Sequence, residues 1–319
     1  MLLPPTPSAL RRAAAALKRG EPVAFPTETV YGLGANALDP KAVRRIFEAK
    51  GRPDDNPLIV HVTGLPMVRR LVKAIPPEAR ALAARFWPGP LTIVLPKRSS
   101  VPDIVTAGLP TVAVRVPDHP VALALIEAAG MPIAAPSANR SGRPSPTRAA
   151  HVATDFPGLL VLDGGPARHG LESTVIALGD PPRILRLGAI PFEELRAVLP
   201  GLKIATKARA RAESPGMKHR HYAPARPLVL FRRSRAAALR EALAADPKAL
   251  LLCADADAPL FPGTRPVRLG ATPVQIAHHL FDALRTGRRG SVLLAYALPR
   301  RGLLRAVMDR LERAATRIV

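Results

Sequence analysis

The chain has 319 residues, of which 48% are hydrophobic, 22% charged and 4% aromatic, and its net charge is +23. That composition reads as globular, with aliphatic cores of Ala, Leu and Val divided between two domains. No run of about eighteen uncharged apolar residues occurs, and Met1-Leu2-Leu3-Pro4-Pro5 has no cationic start before an apolar core, so neither a membrane span nor a secretory signal is expected and the expected location is cytoplasmic, without a membrane partner.

Taken in chain order, the first two hundred residues alternate helical patterns with short apolar runs. A helix begins at Ser8, with that serine as its cap and Gly20 as its stop, and a strand follows over 23–25. Residues 26–34 (PTETVYGLG) read as a turn dense in hydroxyls and glycine. Strands are predicted over 58–62, 91–95, 112–116, 133–135, 159–162, 174–178 and 184–187, and helices over 41–49, 68–73, 78–86, 121–129, 147–154 and 192–199. This mixed order predicts an α/β domain around a twisted sheet over residues 1–200. Over 201–226 the periodicity disappears and the segment turns basic and polar, as a linker does. From 227 to 319 strands at 228–231, 249–253, 267–269 and 291–296 alternate with helices at 235–244, 273–285 and 303–315, a βαβ series that predicts a smaller three-layer α/β domain resembling a nucleotide fold.

The positive charge is compatible with ATP, pyrophosphate or RNA. Only nine of the 47 basic residues are lysine, a bias that a GC-rich genome produces without selection for binding, and no arginine run is interleaved with aromatics. The single cysteine, Cys253, lies in an apolar run and reads as a core thiol; it excludes an internal disulfide and a thiolate-rich metal site.

Gly32-Leu33-Gly34-Ala35-Asn36-Ala37 matches a dinucleotide pattern, yet the acids that follow, Asp54 and Asp55, precede the next strand instead of ending it, and the match is rejected. A Walker loop fails because Leu171 stands where lysine is required. Lys50 and Arg52 close the helix over 41–49, opposite the hydroxyl-rich turn, and together suit two phosphates, one held by a fork and one by a point charge. Arg115 lies inside an apolar strand, where a guanidinium needs either a protein carboxylate or a substrate carboxylate; the sequence leaves both open. Ala135, Ser137 and Asn139 end another strand in small groups that allow close approach of a ligand. His61, His219 and His221 lack a supporting Cys or carboxylate for a metal cage. No Ser-His-Asp order and no paired acids are assigned, so the chemistry reads as positioning and charge stabilisation.

These segments resemble the Sua5/YrdC family of threonylcarbamoyl-adenylate synthases. The shared signatures are PTETVYGLG (26–34), KGRP with NPLIVHV (50–62), WPGPLT (87–92), TVAVRVP (111–117), PSANRSGRPSPT (136–147), LESTV (171–175) and PGMKHRHYAP (215–224), and the region after the linker fits the long Sua5 type. The resemblance implies a YrdC-like catalytic domain followed by a linker and a smaller Rossmann-like domain. It implies the reaction of L-threonine, bicarbonate or CO2, and ATP to threonylcarbamoyl-AMP and pyrophosphate, the first step toward the t6A base of tRNA. It further implies a threonine pocket of Thr29, His61, Arg115, Ala135 and Ser173, with Arg115 on the amino-acid carboxylate. The ATP site would comprise Arg52, Asn56, Thr111, Ser137, Asn139, Ser145, Arg186 and Tyr222, the last in a linker that folds back as a lid; Lys50 and Arg52 are the catalytic cations, and Mg2+ accompanies ATP. The downstream tRNA threonylcarbamoyl-transferase machinery is the expected partner. His219 stands where the family more commonly has tyrosine. Two other readings remain: a non-catalytic module that holds double-stranded RNA or tRNA, and a carbamoyl-transfer enzyme of the hydrogenase-maturation type, against which the chain lacks the additional domains and cysteines.

Overall fold

The computed structural model describes residues 1–205, 221–286 and 292–319. Contacts among them gather into two compact units, the first made of residues 1–141, 145–168 and 172 onward, the second of 142–144, 169–171 and the region from 221 to the end. The expected linker features at 214–220, His219 among them, lie outside the described residues.

In chain order the first unit runs β1 (Leu2–Leu3), α1 (Pro7–Lys18), β2 (Val23–Phe25), β3 (Gly32–Asn36), α2 (Pro40–Lys50), β4 (Ile59–His61), α3 (Leu65–Val68), α4 (Pro77–Phe86), β5 (Leu91–Pro96), α5 (Asp103–Thr106), β6 (Thr111–Arg115), α6 (Pro120–Ala129), β7 (Ile133–Ala134), α7 (Ala149–Asp155), β8 (Leu160–Leu162), β9 (Thr174–Ala177), β10 (Arg183–Arg186), α8 (Phe192–Val198) and β11 (Lys203–Ile204). Three local expectations change. The first helix is capped two residues early: Thr6 is its cap, accepting from Ala9 N–H at 3.2 Å, because Pro7 has no N–H to lose and suits the first helical position. The helix expected over 68–73 ends at Val68, and Val72 instead pairs with Lys97 in an isolated bridge. The glycines after Tyr31 are not a turn. They form β3, antiparallel to β2, and a Cβ at Gly34 would come within 2.6 Å of Ile133 and 2.7 Å of Phe25. Glycine is there for close packing of side chains from neighbouring strands.

The strands form one mixed sheet in the order β1-β8-β2-β3-β7-β4-β6-β5-β9-β10-β11. Side chains alternate across it. One face, with Leu33, Val60, Ile93, Val112, Val114 and Ile176, enters the main core. The opposite face is divided. Over β2 and β7, Val23, Phe25 and Ile133 pack with Leu17 of α1 and Leu125 of α6. Over β4, β6, β5, β9 and β10 it carries a smaller apolar patch of Ile59, Val94, Ala113, Val175, Ala177 and Leu185.

The second unit runs β12 (Leu228–Phe231), α9 (Ala236–Ala245), β13 (Leu250–Cys253), β14 (Val267–Arg268), α10 (Pro273–Arg285), β15 (Leu293–Tyr296), α11 (Leu304–Ala314) and β16 (Arg317–Ile318). Its five strands are parallel, in the order β14-β13-β15-β12-β16. Leu239 on α9 packs with Phe231, Leu251, Cys253 and Tyr296, and burial pushes the Cys253 thiol up to about 11, as a core thiol requires. A reciprocal cap between Thr272 and Gln275 starts α10. Among the described residues no helix is long and apolar enough to cross a membrane.

Candidate active site

The strand period explains how distant residues meet. His61 ends β4 and Arg115 ends β6, and the two are in register on parallel neighbours. Residues 59 and 61 share a face, as do 111, 113 and 115, so His61, Arg115 and Thr111 rise from the face that holds the smaller apolar patch. Thr111, half-buried, lies four residues from Arg115, roughly 13 Å along the strand. On β5 the Thr92 hydroxyl bonds to that of Ser173 at 2.8 Å, just before β9. Arg186, ending β10, donates to the Ser173 carbonyl from Nη2 at 2.8 Å and Nε at 3.2 Å, and to its hydroxyl at 3.0 Å.

Arg115 is 3% exposed. Its Nη1 donates to the Thr29 hydroxyl at 2.9 Å and its Nε to the Gly89 carbonyl at 3.3 Å, while Nη2 lies 2.6 Å from Glu28 Oε2, an ion pair between side chains 4% and 1% exposed. Of the two partners the sequence left open, the protein carboxylate is therefore present, and it is Glu28. The pair is not saturated. Nη2 and Oε2 lack hydrogen-bond alignment, and among the described residues neither Oε1 of Glu28 nor Nδ1 of His61 has a hydrogen-bond partner. Burial and the charge of Arg115 push His61 down to about 3, so its imidazole is neutral near pH 7.

The loop between β2 and β3 is fixed from within. The Thr27 hydroxyl donates to the Val30 carbonyl at 2.6 Å and accepts from the N–H groups of Thr29 and Val30. Thr27 and Thr29 hydroxyls are 2.8 Å apart. Tyr31 N–H donates to the Pro146 carbonyl, and its phenol, which burial pushes upward, donates to the Gly165 carbonyl at 2.7 Å. The Tyr31 carbonyl accepts from Ala138 N–H at 2.8 Å, and Gly32 pairs with Ser137 in an isolated bridge. The segment after β7 is thus tied to the loop that carries Glu28 and Thr29. Ala135 N–H donates to the Ile59 carbonyl, which places Ala135 beside β4.

Lys50 reaches the segment after β7. It is 3% exposed, and its ammonium donates to the carbonyls of Ser137, at 2.6 Å, and of Asn139. The Ser137 hydroxyl donates to Asn139 Oδ1 at 2.6 Å. Arg52, just past the left-handed Gly51 cap of α2, donates from Nη2 to the carbonyls of Asn56, at 3.1 Å, and Pro57, at 3.3 Å, shaping the loop in which Asn56 is buried. Ser145 is buried and donates to Glu172 Oε1 at 2.7 Å, next to Ser173.

Tyr222 belongs to the second unit. Its ring stacks on Phe281 of α10, centroids 5.3 Å apart, and the fully buried guanidinium of Arg310 lies 5.7 Å from its centroid. Its backbone has φ of 65°, a left-handed conformation that a bulky residue adopts at a cost of about 1–2 kcal/mol.

Residues 15–188 match the Sua5/YciO/YrdC family model, described as telomere recombination, and residues 190–316 match a model described as the threonylcarbamoyl-AMP synthase C-terminal domain. The chain belongs to the Sua5/YrdC family. A Pyrococcus abyssi relative named threonylcarbamoyl-AMP synthase is 49% identical over 96% of this chain and 94% of its own. A Bacillus subtilis relative of the same name is 44% identical over 96% and 92%. The crystal structure of P. abyssi Sua5 complexed with L-threonine superposes with a TM-score of 0.88 at 47% identity, covering 97% of this chain and 95% of the other. The similarity spans both Sua5 domains, so the α/β fold class expected from sequence holds. Glu28, Thr92 and Glu172 meet Arg115, Ser173 and Ser145, and the sequence reading did not assign them. Glu28 stood inside the quoted PTETVYGLG segment, and the sequence signal for it was the demand of a buried Arg115 for a carboxylate.

Proposed function

We propose that this protein is a threonylcarbamoyl-AMP synthase, which converts L-threonine, bicarbonate or CO2, and ATP into threonylcarbamoyl-AMP and pyrophosphate for t6A formation in tRNA. Identity of 44–49% with relatives of that name, over 96% of the chain, carries the reading. Thr29, His61, Arg115, Ala135 and Ser173 form the threonine pocket. Arg115 holds the α-carboxylate as a fork, and the neutral His61 beside it adds no charge that would compete. Arg52, Asn56, Thr111, Ser137, Asn139, Ser145 and Arg186 bind ATP.

Once carboxylated on nitrogen, threonine presents a carbamate that attacks the α-phosphorus in line, and pyrophosphate leaves. Arg52 stabilises charge on the phosphates, while Lys50, holding the backbone of Ser137 and Asn139, sets the turn that receives the nucleotide. Among the described residues no three His, Cys, Asp or Glu side chains gather as a metal site. Mg2+ would accompany ATP and supply neutralisation of phosphate charge. The product passes to the tRNA threonylcarbamoyl-transferase machinery, and the site of action is the cytoplasm.

The test is pyrophosphate release by the purified chain, with threonylcarbamoyl-AMP identified by mass spectrometry. Release requires threonine and bicarbonate together and proceeds without RNA. Release indifferent to threonine overturns the reading, and tight RNA binding without any release would favour the binding-module alternative. Arg115→Lys keeps a cation beside Glu28 but loses the fork, and should weaken threonine binding at least tenfold by calorimetry. Alanine there is the poorer probe, because an uncompensated buried Glu28 costs about 3–5 kcal/mol of stability.

A further inference from the structure

We propose that Glu28 is the group that receives the α-amino end of the amino-acid substrate and takes up the proton which that amine sheds before it is carboxylated. The inference rests on the synthase reading and deepens it. Glu28 is 1% exposed, and among the described residues its Oε1 has no hydrogen-bond partner. A carboxylate oxygen enclosed in that way is costly unless a donor meets it. Its other oxygen lies against Arg115, whose Nη1 and Nε are already placed by Thr29 and Gly89. A guanidinium and a carboxylate held side by side, each with unsatisfied polar atoms, match the two charges of an amino-acid zwitterion, which stand on neighbouring atoms of one α-carbon.

The groups around the pair leave this task to Glu28. His61, in register beside Arg115, is neutral and supplies no negative charge. His119 feels the charge of Glu28, is itself pushed toward neutrality by burial, and spends Nδ1 accepting from Val121 N–H. Thr27 and Thr29 offer hydroxyls already bonded to each other. Among the described residues, Glu28 is the carboxylate in contact with Arg115. When the substrate carboxylate takes a place on the Arg115 fork, Glu28 gives up part of its counter-charge just as an ammonium arrives. An N–H bond of that ammonium breaks, its electron pair remains on nitrogen, and the proton forms an O–H bond on Glu28. The free amine then joins the carbon of bicarbonate with loss of water, giving the carbamate; Glu28 returns its proton to solvent after product release.

The experiment compares two ligands by calorimetry on the full chain: L-threonine, and 2,3-dihydroxybutanoate, which replaces the amine by a hydroxyl. Wild type should prefer threonine. In Glu28→Gln the affinity for threonine should fall at least tenfold while that for the hydroxy acid is unchanged or improves, so that the preference collapses. If Glu28 serves only to hold Arg115, both ligands weaken by the same factor, and the proposal is overturned. Should Glu28→Gln fail to fold by circular dichroism, Glu28→Asp withdraws the charge by one methylene and should show the same selective loss in smaller measure; equal losses overturn it there too. A wild type that binds neither ligand sinks the threonine pocket and this proposal together. Threonine binding without pyrophosphate release would count against the synthase reading alone, because the amine preference is still measured.

Discussion

His61 is enclosed beside Arg115 and holds no proton until about pH 3 when folded, whereas in the unfolded chain it takes one up near 6.5. Acid therefore favours the unfolded state, and the penalty grows as pH falls from 6.5 toward 3. Between pH 7.5 and 5 this one group costs about 2 kcal/mol. His61→Gln should show a correspondingly shallower loss of stability over that interval, measured by urea unfolding of both proteins at the two pH values; parallel losses would mean that the imidazole titrates normally. Lys50 is a second case in which burial sets the role. On α2 the buried positions are Ala42, Val43, Ile46, Phe47 and Lys50, a single helical stripe. Its inward direction was thus legible from spacing alone, but the carbonyls it meets lie 87 and 89 residues away and were not. Lys50→Met keeps the stem and strands those carbonyls, and should destabilise the protein by about 1–3 kcal/mol while raising KM for ATP more than KM for threonine.

Strands buried on both faces read as apolar runs, which is why β2, β5, β9 and β12 stood out in the sequence and why the α/β order was legible. β3 did not stand out, because Gly32 and Gly34 serve the side chains of adjoining strands, and glycine in a sequence signals a turn before it signals close packing. The same reason hides Gly188. A Cβ there would meet Glu172 O, Ser173 C and Thr174 N, each at 2.4 Å, and backbone on that scale has no room to give. Gly188→Ala should therefore displace the Ser173 turn that Thr92 and Arg186 hold, costing about 1–3 kcal/mol and weakening threonine binding. Among the described residues nothing lies within 4 Å of the Cβ position of Gly179, and Gly179→Ala should leave stability within about 0.5 kcal/mol and threonine affinity unchanged. Thermal melts and calorimetry on the two variants separate a packing constraint on the site from a generic intolerance of side chains in loops.

At the scale of the whole chain the dominant quantity is charge, 47 basic residues against 24 acidic. The residues that build the site use little of it: the cations of Lys50, Arg52, Arg115 and Arg186 are each engaged by backbone carbonyls, a hydroxyl or Glu28. The remaining excess either draws in polyanions or reflects composition alone, and salt tells the two apart. ATP carries several negative charges, whereas threonine is a zwitterion without net charge, so a field of +23 accelerates the approach of one and not the other. Screening shortens from about 14 Å at ~0.05 M salt to about 4 Å at ~0.5 M. Over that range kcat/KM for ATP should fall several-fold while kcat/KM for threonine, at saturating ATP, stays nearly level. Equal, small dependences would assign the arginine excess to composition, because charges that steer no substrate leave both encounters untouched. A steep dependence that disappears when RNA is added would instead show that the same field is claimed by a larger polyanion, which would compete with ATP from outside the site.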